Sequence, residues 1–301
     1  MIFFLPLLVS MILGCIFPYI ALALMPYGFI FFFVLMLCAG LSMRWQSLRQ
    51  ISRHAFPLVF ANVFLFIFFP LLQLAIARLL IADIQYQFGV YFGALAPVAI
   101  VSPYFTKIAK GDEELSYLFM ISSSLLYPFV CMGMLALMPF SGVHLELMSL
   151  TFGMVIFVIT PIVISMCSVF VLSDRNRQRI EKITPFINAS CLSLLVFILF
   201  GAAYGRLNLY YSSREELLKL ILLAFFQDFG VLLFGFWLLP KLFTTASARS
   251  LAISFSMKNT AVAAALLLFY VPKAAIPATL VFLPHALLFA YLQIKSKKTC
   301  N

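Results

Sequence analysis

The 301-residue sequence is short of charge: 10% of its residues are Asp, Glu, Lys or Arg, whereas soluble domains carry about a quarter. Acidic residues are scarcer still, ten in all, and histidine occurs three times. Together with 64% apolar residues and a mean hydropathy of +1.11, this excludes a soluble globule and points to an all-α polytopic membrane protein embedded in the lipid bilayer. The six cysteines have no metal-ligand spacing. Cys15, Cys38, Cys131, Cys167 and Cys191 lie in apolar runs and Cys300 in the tail, so they read as small apolar residues rather than a redox or disulfide framework. H-E-x-x-H and G-x-S-x-G are absent, and a single aspartate lies well inside an apolar run, so no intramembrane protease chemistry is available and no enzyme is expected. The net charge of +10 is scattered through short loops rather than gathered into a patch, so no nucleic-acid partner is expected, and no cofactor either.

What is present is a series of ten apolar runs, at residues 2–24, 27–43, 55–80, 88–108, 115–138, 148–172, 183–204, 217–239, 251–271 and 274–294. Each is near the length that a membrane-spanning helix needs. The first lacks the charged leader and small-residue cleavage site of a signal peptide and reads as a permanent helix. Loops after even-numbered runs, with the tail, hold fourteen basic residues: Arg44, Arg49, Arg53, Lys107, Lys110, Arg175, Arg177, Arg179, Lys182, Lys241, Arg249, Lys295, Lys297 and Lys298. Loops after odd-numbered runs hold five: Arg78, Arg206, Arg214, Lys219 and Lys273. By the positive-inside rule both termini face the cytoplasm, and the short loops suit a bacterial inner membrane.

Ten runs divide into halves of five, residues 1–140 and 141–301, and an odd number per half requires any repeat to be inverted. That is the layout of many secondary transporters, whose midplane sites are formed by interrupted helices in matching positions. The fourth run carries Ala96-Pro97-Val98-Ala99-Ile100-Val101-Ser102-Pro103. Pro103 removes a backbone donor and disfavours helical geometry at Ser102, so the helix is expected to open there; an ordinary kinked helix is the alternative. The matching run of the second half carries Ser254-Phe255-Ser256-Met257-Lys258-Asn259-Thr260, with no proline. Counted from Arg249, nine residues of helix put Lys258 roughly 13 Å into an apolar layer about 30 Å thick. An ionisable group there costs at least ~2.5 kcal/mol and requires a partner, a wet cavity or a bound anion. Asp228 is the expected counter-charge, and an Asp228–Lys258 pair reads as a proton-coupling pair, a clamp for a substrate carboxylate, or an ion pair holding two helices together. His285 in the tenth run reads as a proton relay or as a histidine bonded to a neighbouring helix. Asn62 with Ser122, Ser123 and Ser124 is expected to bond between helices.

At these segments the chain resembles the bile acid:sodium symporter family. Ala96-Pro97-x4-Ser102, then Ala109-Lys110-Gly111-Asp112 and Leu115-Ser116, is similar to that family's fourth-helix signature A/C-P-G-G-T-x-S-N, followed by A-K/R-G-N/D and L-S. Arg249-Ser250-Leu251, Met257, Asn259-Thr260 and Ala263 resemble its ninth-helix signature R-T-x-x-x-E-x-G-M-Q-N-S-x-x-A. Ala39-Gly40-Leu41-Ser42-Met43-Arg44 resembles the end of its second helix, and His285 falls where its tenth helix has a histidine. The resemblance implies ten helices. Helices one, two, six and seven would form a panel and the rest a core in which helices four and nine cross, with sodium near the crossing and an organic anion between panel and core. The implied binding positions are Pro97, Ser102, Pro103, Ser116, Ser254, Lys258, Asn259 and Thr260. The departures fall on the sodium ligands. Val98-Ala99 replace the paired glycines, Pro103 the asparagine, Ser254 the glutamate and Lys258 the glutamine, while Leu65 and Met120 stand where the family has a glutamine and a threonine. An ammonium beside neutral hydroxyls repels sodium and suits a built-in cation instead. The expected function is transport of small organic anions, proton-coupled or facilitative, by a monomer or an oligomer of unspecified order. Sodium symport through backbone carbonyls and a non-transporting sensor stand as alternatives.

Overall fold

The computed structural model describes residues 4–42, 50–138, 140, 146–171, 174–207 and 213–299. Met43, Arg44, Arg49 and Cys300 lie outside the described residues. Among the described residues the regular structure is helical throughout, as a bilayer demands of chains that must satisfy their own backbone groups. In the first half run α1 (Phe4–Ile16), α2 (Pro18–Leu24), α3 (Gly28–Ser42), α4 (Ala55–Val63), α5 (Phe69–Leu80), α6 (Ile84–Ala94), α7 (Ser102–Ile108) and α8 (Glu113–Leu137). The second half holds α9 (Leu147–Met154), α10 (Thr160–Val171), α11 (Asp174–Leu207), α12 (Arg214–Phe225), α13 (Val231–Leu238), α14 (Thr245–Ser256), α15 (Thr260–Tyr270), α16 (Ala275–Leu280) and α17 (Phe282–Thr299). One-turn π segments, Phe64–Phe68, Val155–Ile159 and Phe226–Gly230, join α4 to α5, α9 to α10 and α12 to α13.

Among the described residues, seven helical stretches are long and apolar enough to cross a membrane: Pro18–Cys38, Ala55–Leu80, Glu113–Leu137, Met148–Ser168, Lys182–Gly205, Arg214–Lys241 and Pro272–Leu292. Leu5–Ile16 and Thr260–Tyr270 are shorter apolar helices. The first two apolar runs are divided differently from the expected 2–24 and 27–43. The helix stops at Phe17, whose ψ of 54° is not helical, and Pro18 starts the next one. Proline suits that place because its missing N–H would be unpaired in a first turn anyway. Close packing on α11 fixes the reversal. A Cβ on Gly201 would stand 2.2 Å from Ala21 Cβ and 3.0 Å from the Gly14 carbonyl, and Gly28 lies beside Leu195 and Ile198. The chain therefore climbs α11 as α1 and descends it as α2 and α3, with glycine permitting backbone approach.

α1, α2, α3 and α10 pack chiefly on one another and on α11, while α5 packs on α6, α7 on α8 and α14, and α13 on α14. Two turns pin the second group at opposite ends. After α7, the Asp112 N–H donates to Ser250 Oγ at 2.6 Å and Ser250 Oγ donates back to the Asp112 carbonyl at 2.8 Å. After α15, Lys273 reaches Asp83, the N-cap of α6, at 2.5 Å, and a Cβ on Gly89 would meet the Ala274 carbonyl oxygen at 2.1 Å. Each turn thus docks on the start of the other interrupted helix.

Candidate functional site

Between α6 and α7, residues 95–101 are unwound; between α14 and α15, residues 257–259 are. Unwound backbone carries donors and acceptors that an apolar interior penalises by several kcal/mol each. Here the two breaks satisfy one another. Val98 and Lys258 form an antiparallel bridge, Ala99 N–H donates to the Met257 carbonyl at 2.8 Å, and Asn259 N–H donates to the Pro97 carbonyl at 2.7 Å. Val98 N–H, left over, donates to Ser123 Oγ at 3.2 Å. Pro97 has no N–H to satisfy. Pro103 lies within the first two positions of α7, so the helix opens ahead of Ser102 rather than at it; Ser102 is the first residue of α7, where proline in the first turn costs no hydrogen bond.

Lys258 is 2% exposed. Its Nζ donates to the carbonyl of Ala94, the last residue of α6, and sits 4.0 Å from the centre of the Phe69 ring. A cation there caps the negative end of a half-helix whose last carbonyls have no helical partner. The expected Asp228–Lys258 pair is not in direct contact, although the two charges still act on each other. Asp228, fully buried in the π turn of Phe226–Gly230, has its Oδ2 2.9 Å from Nδ1 of His285, which is also buried. The same Nδ1 lies 3.0 Å from the Val281 carbonyl, which accepts its N–H, so the carboxylate contact becomes an ion pair when the ring is protonated. A carboxylate is better compensated by a ring it can touch than by an ammonium already held by a helix end, so His285 becomes its partner. His285 Nε2 is buried, and the ring also interacts with the backbone of Lys258.

Ser102, Ser116 and Ser254 come together as the resemblance implies. Their Oγ atoms are 2.8 Å (Ser102–Ser254), 3.1 Å (Ser116–Ser254) and 3.2 Å (Ser102–Ser116) apart, all buried. Thr106 joins them, donating to Ser116 Oγ at 3.1 Å. Sequence reading passed over Thr106, although it lies one helical turn after Ser102 on the same face of α7. At these separations the hydroxyls are occupied by one another. With no carboxylate among them, and a fixed ammonium four residues beyond Ser254, this donor set does not fit sodium. Asn62 reaches Ser122 Oγ at 3.0 Å, the expected bond between helices.

A cavity of about 80 Å³ lies beside the crossing. Leu7 of α1, Leu35 of α3 and Asn188 and Leu192 of α11 form one wall. Residues 99–101 and 258–261, with Phe282, His285 and Phe289 of α17, form the other. It therefore separates the two packing groups and touches Lys258, Asn259, Thr260 and His285. Asp228 stands behind His285, while Ser102, Ser116 and Ser254 line no part of it.

An apolar helical chain built around two crossed, interrupted helices is an integral membrane protein. Residues 29–210 match the model of the Sodium Bile acid symporter family, more than half of the chain, and the protein belongs to that family, which is one of transporters and not enzymes. The chain is also 23% identical, over 263 residues and 84% of each protein, to the uncharacterized protein YbaS of Bacillus subtilis (strain 168). The matched stretch includes Pro97, Ser102, Pro103 and Ser116 and ends before Asp228, Ser254, Lys258, Asn259, Thr260 and His285.

Proposed function

We propose that the protein is a secondary transporter of small organic anions that binds the anionic group in the cavity beside the crossing and couples to protons rather than sodium. Counting α1 as one crossing and each interrupted pair, α6 with α7 and α14 with α15, as another raises the seven long spans to ten. The halves, residues 1–140 and 141–301, are then inverted repeats. Reciprocal docking of the two turns supports this, as do π segments in the third and eighth crossings. The first packing group is the panel and the second the core.

The observation that carries the anion reading is the composition of the cavity wall. The N-terminus of α15, an 11-residue helix, opens into the cavity at Asn259 and Thr260, and the imidazole of His285 lines it. Helix N-termini and imidazolium donors both favour anions. Lys258 acts from behind as a tethered cation, fixing the end of α6 and holding positive potential at the crossing without a bound ion. His285 links cavity to carboxylate: Nδ1 faces Asp228, and a proton carried there neutralises the buried pair. A cavity of about 80 Å³ admits a carboxylate and a few waters but not a drug-sized ligand, whose sites run to about 300–1,000 Å³, so panel and core must part during the cycle.

Family membership itself favours the second reading, sodium symport through main-chain carbonyls of the crossing. The test is uptake of a panel of carboxylated anions into liposomes containing the purified protein, with sodium and proton gradients imposed separately. Uptake that follows the proton gradient and ignores sodium is expected; uptake that follows sodium overturns the proton reading.

A further inference from the structure

The cations Lys110 and Arg249 belong to the two sequence signatures, yet the transport reading uses neither. They converge on a pocket of about 380 Å³ lined also by Ala109, Phe236, Tyr291 and Leu292. Lys110 is the one described non-glycine residue with positive φ, 56°, and the following Gly111 has no room for a Cβ, which would stand 2.9 Å from both Ser250 Oγ and Thr106 Cγ2. The turn is therefore pinned, and it presents Lys110 outward in a left-handed conformation that a side-chain-bearing residue adopts only under strain. Arg249 spends one N–H on the Ala109 carbonyl at 3.4 Å. Neither cation has a carboxylate within 4 Å among the described residues.

The pocket lies at headgroup depth. Trp237, next to Phe236, is 63% exposed with the Lys241 ammonium 3.8 Å from its ring, and Tyr291 is 53% exposed. Exposed Trp and Tyr beside lysine mark the membrane–water interface. From there the apolar face of Phe236 continues onto Leu233, one turn earlier on α13 and exposed, toward the hydrocarbon. Two unpaired cations at the polar end of an apolar groove complement one amphiphile: a phosphate at one end and acyl chains at the other.

We propose that this pocket is a binding site for an anionic phospholipid, with the phosphodiester between Lys110 and Arg249 and an acyl chain along Phe236 and Leu292. By bridging the turn after α7 to the start of α14, the lipid would tie together the outer ends of the two interrupted helices. Native mass spectrometry of the full chain, with phosphatidylglycerol and phosphatidylcholine offered in turn, tests it. Each cation near the bilayer surface contributes about fivefold in affinity, so Lys110→Gly with Arg249→Gln is expected to weaken phosphatidylglycerol binding roughly thirty-fold while phosphatidylcholine binding stays unchanged. Lys110→Gly alone, which suits the left-handed backbone and so keeps the fold, is expected to lose about fivefold. Lys107→Gln, an exposed control paired with Glu113, should leave binding unchanged. Equal retention of the two lipids, unchanged phosphatidylglycerol binding in the double variant, or displacement of the lipid by millimolar inorganic phosphate would each overturn the proposal, the last by showing that acyl chains contribute nothing.

Discussion

A double-mutant cycle distinguishes the ion pair seen in the structure from the one expected from the sequence. His285→Gln leaves the fully buried Asp228 carboxylate without its 2.9 Å partner, and breaking a buried pair from one side costs about 3–5 kcal/mol. Asp228→Asn removes the charge and leaves a neutral polar group, at about 1–3 kcal/mol. Making both changes leaves two neutral amides that can bond each other, again about 1–3 kcal/mol. The double variant is therefore expected to be more stable than the sum of the singles by roughly 3–5 kcal/mol, at or above the upper end for touching residues. The companion cycle of Asp228→Asn with Lys258→Met joins groups more than 4 Å apart, and its coupling is expected to be the smaller of the two. Unfolding free energies measured in bicelles at one fixed pH supply both cycles. A coupling between Asp228 and Lys258 equal to or above that between Asp228 and His285 refutes the assignment.

The other predictions concern the crossing and its supports. Lys258→Gln removes the cap on α6 and is expected to lower both stability and uptake, whereas His285→Gln should abolish the proton dependence of uptake; uptake that stays proton-driven in His285→Gln rules out the relay. Ser102→Ala removes one of the two hydroxyl partners of Ser254 and leaves Ser116, so it should cost about 0.5–1.5 kcal/mol, read by thermal unfolding, with no change in the response to sodium. Gly89→Val drives a side chain into the Ala274 carbonyl and should prevent accumulation of folded protein, while the same change at Gly133, which has nothing within 4 Å, should be tolerated.

Much of the site was legible because its residues are costly where they stand. A lysine and an aspartate inside apolar runs can only be buried, and both are. Their partners were not legible. Asp228 and His285 lie 57 positions apart, and no local pattern reports that a π turn in one helix aims its carboxylate at another helix. Proline signalled the first break but displaced it by a few residues, because proline marks equally well the end of one helix and the first turn of the next. Pro18 shows the same ambiguity, and the first two spans were divided in the wrong place for that reason.

By itself the sequence determined the class: low charge and long apolar runs admit only membrane helices, since backbone groups in lipid must be paired within the segment. It also determined that something unusual happens at residues 96–103 and 254–260. The tertiary structure alone decided that the second break exists without a proline, because residues 257–259 leave helical geometry only where Pro97, Val98 and Ala99 offer their backbone in exchange. Lys258 likewise contacts a half-helix end rather than a carboxylate, since packing places the Ala94 carbonyl and the Phe69 ring against it and leaves Asp228 against His285.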